Sequence, residues 1–269
     1  MPEEAQYAHG HHPSVLRSHK WRTVENSAAY LVPHLTPTTT ILDVGCGPGN
    51  ITIDLASRVP SGHVIGLDRA DIVIADATSL AKESGVANVE FHTGDVYALD
   101  FPDGTFDVVH AHQVLQHLGD PVRALKEMRR VTKKGGIVAV RDMTDFLHWP
   151  EKPELVEFRE LFWGISTRLG THPGAGKMFR KFAREAGFEQ SDVTVTSSNW
   201  TYADQEGLDF WAGMWADRVL QSEFHDNCVS MGMAKEEDMQ RISRAWKDFQ
   251  TTQDAWYVVT NGELIAKNQ

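Results

Sequence analysis

The feature that most constrains this chain is an alternation, from Thr40 to Val140, of short apolar runs with longer amphipathic stretches. Ile41 to Val44, Gly62 to Asp68, Val89 to His92, Phe106 to Ala111 and Ile137 to Val140 have the length and side-chain character of strands. Between them, Ile51 to Val59, Asp71 to Ser84 and the stretch up to Val131 read as helices. The last of these opens with Asp120-Pro121, an N-cap followed by the residue suited to the first helical position. Gly135-Gly136 reads as its stop. Strands separated by helices are joined by crossovers, so the pattern predicts an α/β fold with a parallel sheet covered on both faces.

Outside this stretch the rhythm changes. The first 40 residues are polar and His-rich, and Trp21 to Leu35 reads as a helix ending near Pro33. After Arg141, helices are expected over Glu154 to Leu169, Lys177 to Ala186, Gln205 to Leu220 and Lys235 to Phe249. A strand is expected at Val193 to Thr196, and a closing strand or hairpin at Ala255 to Ala266, around Asn261-Gly262. The expected organisation is an N-terminal arm and helix (1–35), a cofactor-binding core (36–145), and a C-terminal part with a helical substrate cap (146–269).

The loop Gly45-Cys46-Gly47-Pro48-Gly49 follows the first strand and opens a helix, where backbone N–H groups are exposed to a ligand. A dinucleotide fingerprint would place its third glycine where this chain has Asn50, so pyrophosphate binding and a nicotinamide cofactor are disfavoured. Asp68 ends the second strand, where a carboxylate accepts from two ribose hydroxyls. Asp95, after the third strand, is placed to accept from an adenine amino group, with Val96 adding a backbone N–H and an apolar contact. Three neighbouring loops thus converge on one adenosine-sized crevice. A net charge of −11, from 37 acids against 26 bases, argues against a nucleic-acid partner. No apolar run spans a bilayer and Met-Pro-Glu-Glu-Ala lacks the features of a secretory leader, so the chain is expected to be cytoplasmic, without a membrane partner. Two cysteines, Cys46 and Cys228, suit a reducing compartment.

With Leu42-Asp43-Val44-Gly45-Cys46-Gly47-Pro48-Gly49, Asp68, Gly94-Asp95-Val96 and Phe106 to Leu118 on the page, the chain resembles the class I S-adenosylmethionine-dependent methyltransferases. It is most similar to the small-molecule branch around ubiquinone and menaquinone biosynthesis, a match that Leu125 to Val131 and Lys134-Gly135-Gly136 continue. The resemblance implies a Rossmann-like, seven-stranded, mostly parallel sheet whose last strand is antiparallel, and S-adenosyl-L-methionine as cofactor. It implies Gly45, Gly47 and Gly49 along the methionine moiety, Asp68 on the ribose, Asp95 on the adenine and Asp43 organising the ammonium group. Cys46, Asn50, Arg69, Gly94, Val96, His112 and Gln113 complete the expected cofactor contacts, with Tyr7 from an arm that folds over the site together with His12 and Arg17.

Methyl transfer to a phenol, enol or amine is helped by a base of near-neutral pKa, and His112 is the first candidate, followed by His117, His148 and Asp142. An already ionised acceptor would need none. His9, His11 and His12 lack a ligand partner at familiar spacing, so no metal is expected. Seven of eight tryptophans lie after the fifth strand, and Phe158, Phe162, Trp163, Trp200 and Phe210 suggest either cap core or an aromatic-lined pocket. The leading function is methylation of a small apolar or aromatic metabolite at an O, C or N atom. The alternatives are a cofactor-binding enzyme that catalyses a non-methylating rearrangement, and a partner-binding module on the same scaffold. Monomer and homodimer both remain open.

Overall fold

The computed structural model describes residues 21–269. Its centre is a seven-stranded sheet in the order β3-β2-β1-β4-β5-β7-β6. The strands are β1 (Thr40–Val44), β2 (His63–Asp68), β3 (Val89–Thr93), β4 (Phe106–His112), β5 (Thr132–Trp149), β6 (Val193–Tyr202) and β7 (Trp256–Lys267). Strands β3 to β5 are parallel and β7 runs antiparallel to both β5 and β6, so the sheet is mostly parallel as expected.

The helices of the core follow their local signals. Helix α1 is Val24–Ser27 and α2 is Asn50–Arg58; Gly49, in the left-handed region at φ +84°, lets the chain turn sharply from loop into α2. Helix α3 (Asp71–Ser84) ends at Gly85. Helix α4 (Pro121–Val131) starts at the Asp120 cap, whose carboxylate accepts from Arg123 N at 2.9 Å. One face of the sheet buries Leu42, Val109, Val138 and Leu264 against α4 and α6 (Phe179–Glu185). The other buries Ile41, Val64, Ala139 and Ile265 beneath α1, α2 and the 3₁₀ turn Ala29–His34.

The C-terminal half has its own core. The outer lengths of β5, β7 and β6 pack against α5 (Pro153–Arg168), α7 (Gln205–Gln221), α8 (Glu223–Ser230) and α9 (Glu236–Phe249). Phe158 sits at its centre, edge-on to Trp215 at 4.8 Å and to Trp246 at 5.3 Å. Each such buried aromatic contributes about 1.5–3 kcal/mol by removal from water.

Four local expectations change. The helix expected over Trp21 to Leu35 is split, because Ala28 takes φ −140° and Pro33 has no N–H to continue an α-helical ladder. Gly135-Gly136 does not stop α4, which already ends at Val131; both glycines lie inside β5, and a Cβ on Gly136 would stand 2.6 Å from Asp107 O. Strand β5 runs on past Val140 and across position 145, because Arg141 and Asp142 find buried polar partners that the apolar pattern does not reveal. Asn261-Gly262 is not a hairpin turn but the middle of β7. Gly262 there lies against Gly176, whose O would be 2.6 Å from an added Cβ, and Asn261 Oδ1 accepts from Gln113 Nε2 at 2.8 Å. Helix α8 is additional to the expected set.

Candidate active site

The carboxyl ends of β1, β2 and β4 and the segment after β3 rim a cavity of about 830 Å³. After Val44 the chain must turn within three residues, and Gly45 and Gly47 take φ +68° and +55° to do so. The N–H groups of Gly45 and Cys46 both donate to Leu67 O, at 2.7 and 3.0 Å, which ties the loop to β2. Asp68 holds it from the other side: Oδ2 accepts from Gly47 N at 3.0 Å and Oδ1 from Ala70 N at 3.1 Å. Asp95 Oδ1 accepts from Tyr97 N at 2.8 Å, fixing the turn after β3.

Asp43 lines the floor of the cavity, 2% exposed. Its two oxygens accept from Thr52 Oγ1 at 2.6 Å and His110 Nδ1 at 2.7 Å. Burial, with Asp43 and Asp68 nearby, holds the Cys46 thiol well above its usual range, so it stays protonated.

Beyond β4, Gln113 has φ +56° and leads a polar ladder. Gln116 Nε2 donates to Gln113 Oε1 at 2.7 Å and also to His117 Nε2 at 3.1 Å. An amide nitrogen only donates, so His117 Nε2 is an acceptor and its ring is neutral. Burial, reinforced by Arg22 and Arg218, pushes His117 down to about 3. Below this segment the buried Asp142 accepts from the backbone N–H groups of Leu115 and Gln116, at 3.2 and 3.3 Å. Burial raises Asp142 to about 8 despite those bonds.

Of the residues singled out from sequence, Asp43, Gly45, Cys46, Gly47, Asn50, Asp68, Arg69, Gly94, Asp95, Val96, His112, Gln113 and His117 all line this one cavity. Gly49 lies just outside it, against Phe91 and Ala77. Asp142 is behind the wall and shapes it through the backbone. His148 is not at the site: it lies seven residues further along β5 than Arg141, the register partner of His112, and packs on Trp246 and Phe249. Burial lowers its pKa. Tyr7, His12 and Arg17 lie outside the described residues. Phe158, Phe162 and Trp200 belong to the C-terminal aromatic core, with Phe210 packed against it; Trp163 contacts Phe162, and none of the five lines the cavity.

The lining also includes residues that sequence reasoning did not select: Arg22, Tyr97, Val114, Leu118, Gly119 and Glu223. Arg22 and Glu223 come from segments two hundred residues apart, and no local motif marks either. Asp120-Pro121, which sets where the helix after this segment begins, was the nearest available signal for Leu118 and Gly119.

These residues suit an adenosyl sulfonium. A Cβ on Gly47 would meet nothing within 4 Å, so the loop's open side faces free space that a ligand can enter closely. Asn50 Oδ1 is buried at the cavity wall without a hydrogen-bond partner, an acceptor that a ligand donor would satisfy.

Residues 35–172 match the family model described as a methyltransferase domain, and the chain belongs to that family, as a class I S-adenosylmethionine-dependent methyltransferase. S-adenosylmethionine is its cofactor. An uncharacterized methyltransferase of Schizosaccharomyces pombe is 34% identical over 99% of this chain and 98% of its own length. A demethylmenaquinone methyltransferase of Lactococcus lactis is 37% identical but spans 54% of each chain. The crystal structure of the YcgJ protein from Bacillus subtilis shares the fold, with TM-score 0.59 and 20% identity over 90% of this chain and 97% of its own. Cofactor class, enzyme class and fold therefore agree with those expected from the sequence.

Proposed function

We propose that the chain methylates a compact small-molecule acceptor whose nucleophilic atom is already unprotonated at neutral pH. The observation that carries this reading is the state of the two histidines at the cavity. His117 is a neutral ring whose Nε2 is taken up by Gln116, and both ring nitrogens of His112 are buried beside Trp200. His117 Nε2 is engaged and the ring nitrogens of His112 are buried, so neither is presented to an acceptor as a base, and an amine lone pair, a thiolate or a stabilised phenolate or enolate suits the site best.

The bound cofactor supplies a methyl group already activated on sulfur. The protein's share is to hold donor and acceptor in line and to exclude water. Val114 and Leu118 offer an apolar surface for the acceptor's body, consistent with an apolar or aromatic metabolite, while Arg22, Gln113 and Glu223 offer polar contacts for its head. The quinone precursor named for the Lactococcus enzyme is not carried over, since that match covers half of each chain. We place the reaction in the cytoplasm, on a free metabolite rather than on nucleic acid or a membrane. Among the described residues no helix is long and apolar enough to cross a bilayer.

The test is incubation with S-adenosylmethionine carrying a deuterated methyl group and a metabolite extract, followed by mass spectrometry. A small molecule gaining one labelled methyl, at a rate without a histidine-like inflection between pH 5 and 8, is expected. Label confined to protein or nucleic acid, or an unlabelled isomerised product, would refute it.

A further inference from the structure

Asp43 is a carboxyl side chain only 2% exposed, and among the described residues no lysine or arginine is paired with it. Its neighbour on one side, Gly66 of β2, has no side chain; on the other it meets His110, its register partner on β4. Thr52 of α2 closes the remaining oxygen at 2.6 Å. His110 is 0% exposed and donates from Nδ1 to Asp43, whereas its Nε2 is buried with no hydrogen-bond partner; the ring lies 6.5 Å from that of Tyr30. With Nε2 unpartnered, the Nδ1 bond to Asp43 is the hydrogen bond that anchors the ring. The imidazole thus orients the carboxylate, one oxygen held by Nδ1 and the other by Thr52.

A buried carboxylate that lines a cavity, with no lysine or arginine paired to it among the described residues, is a place for a ligand's cation. The amino-acid end of S-adenosylmethionine carries one, an ammonium group. We infer that His110 is a positioning residue for the cofactor: it locks Asp43 in the rotamer that receives the ammonium, and it acts on amino-acid-bearing ligands alone. This rests on the cofactor reading above and goes beyond it, because His110 does not line the cavity and belongs to no part of the glycine motif. Serving only as strand filler would be a different role, since Leu or Cys would fill that position equally well.

The test is calorimetric and needs no acceptor. S-adenosylhomocysteine and 5′-methylthioadenosine share the nucleoside, but only the first carries the ammonium and carboxylate. His110→Leu keeps volume and removes the donor; His110→Asn returns an N–H near the place of Nδ1. Loss of one hydrogen bond to a charged group predicts binding of S-adenosylhomocysteine weakened on the order of tenfold or more in His110→Leu, with methylthioadenosine affinity unchanged. His110→Asn should regain most of the loss. If His110→Leu fails to fold, Thr52→Val probes the other oxygen and should weaken only the amino-acid-bearing ligand. Equal loss for both ligands, or no rescue by Asn, would overturn the inference in favour of a packing role. Wild-type protein that binds neither ligand would instead sink the cofactor reading itself.

Discussion

The rim of the cavity and the C-terminal aromatic core are built on opposite principles. At the rim, shape hangs on backbone conformation and single hydrogen bonds: two glycines at positive φ, Asp68 accepting from Gly47 N, Asp43 held by Thr52 and His110. In the aromatic core, Phe158, Trp215, Trp246 and Tyr257 touch each other through faces and edges, and no one contact dominates. Point geometry tolerates no substitution and leaves a motif behind. Bulk packing accepts many side-chain sets of similar volume and leaves only a composition.

If that contrast is right, damage to each region should read out differently. The largest effect is expected from Trp246→Ala: its side chain is 0% exposed, and emptying that volume should cost about 3–5 kcal/mol in urea denaturation. S-adenosylhomocysteine affinity of the folded fraction should not move; if it does, the two regions are not separable. Gly45→Val reverses the pattern. Its φ of +68° is hostile to a branched residue and its Cβ would stand 2.5 Å from Val114 Cγ2. Strain of about 2–3 kcal/mol should appear as roughly a hundredfold loss of cofactor affinity by calorimetry.

The pH dependence sharpens the contrast within the wall of the cavity. Asp142 sits near 8 and His117 near 3 in the folded protein. Between about pH 4 and 6.5 the unfolded chain holds a proton at residue 117 that the folded one lacks, and the folded chain holds one at residue 142 that the unfolded one lacks, so the two slopes cancel. From pH 6.5 to 8 only Asp142 titrates, and stability should fall as pH rises, by about 2 kcal/mol. Asp142→Asn should flatten that limb in denaturant titrations, and His117→Gln should extend the decline downward to pH 4. Smallest is the tie between α8 and α9, where His225 lies 3.0 Å from both Asp226 and Glu236, its pKa raised by those acids against the cost of burial. Its contribution is present below the unfolded value and disappears as pH rises through the folded one. For an exposed pair about 0.5 kcal/mol is expected, read as the pH-dependent part of the difference between wild type and His225→Ala.

Legibility followed the same division. Strands β1 to β4, α3 and the start of α4 were readable because caps, glycines and alternation act over a few residues. The acids Asp68 and Asp95 were readable because their place at strand ends is set by topology. Arg141 and Asp142 interrupted an apolar run and concealed the rest of β5, since the Ser198 bond at 3.0 Å and the Trp200 ring at 4.4 Å that accept Arg141 lie more than fifty residues away. Asn261-Gly262 misled for the same reason: its turn chemistry is local, whereas Gln113 and Gly176, which explain it, are not. Arg22 and Glu223 reach the cavity only through tertiary packing, which leaves no trace in spacing.

Strand β5 pairs with β7 from Ile137 opposite Lys267 to Trp149 opposite Trp256, with one register shift between Met143 and Asp145, passing from one region into the other. Two slabs joined by such a ladder resist rotation about a hinge, because a pivot would break main-chain pairing on both sides of the shift. The C-terminal helical layer reaches the cavity lining through Glu223 at the start of α8.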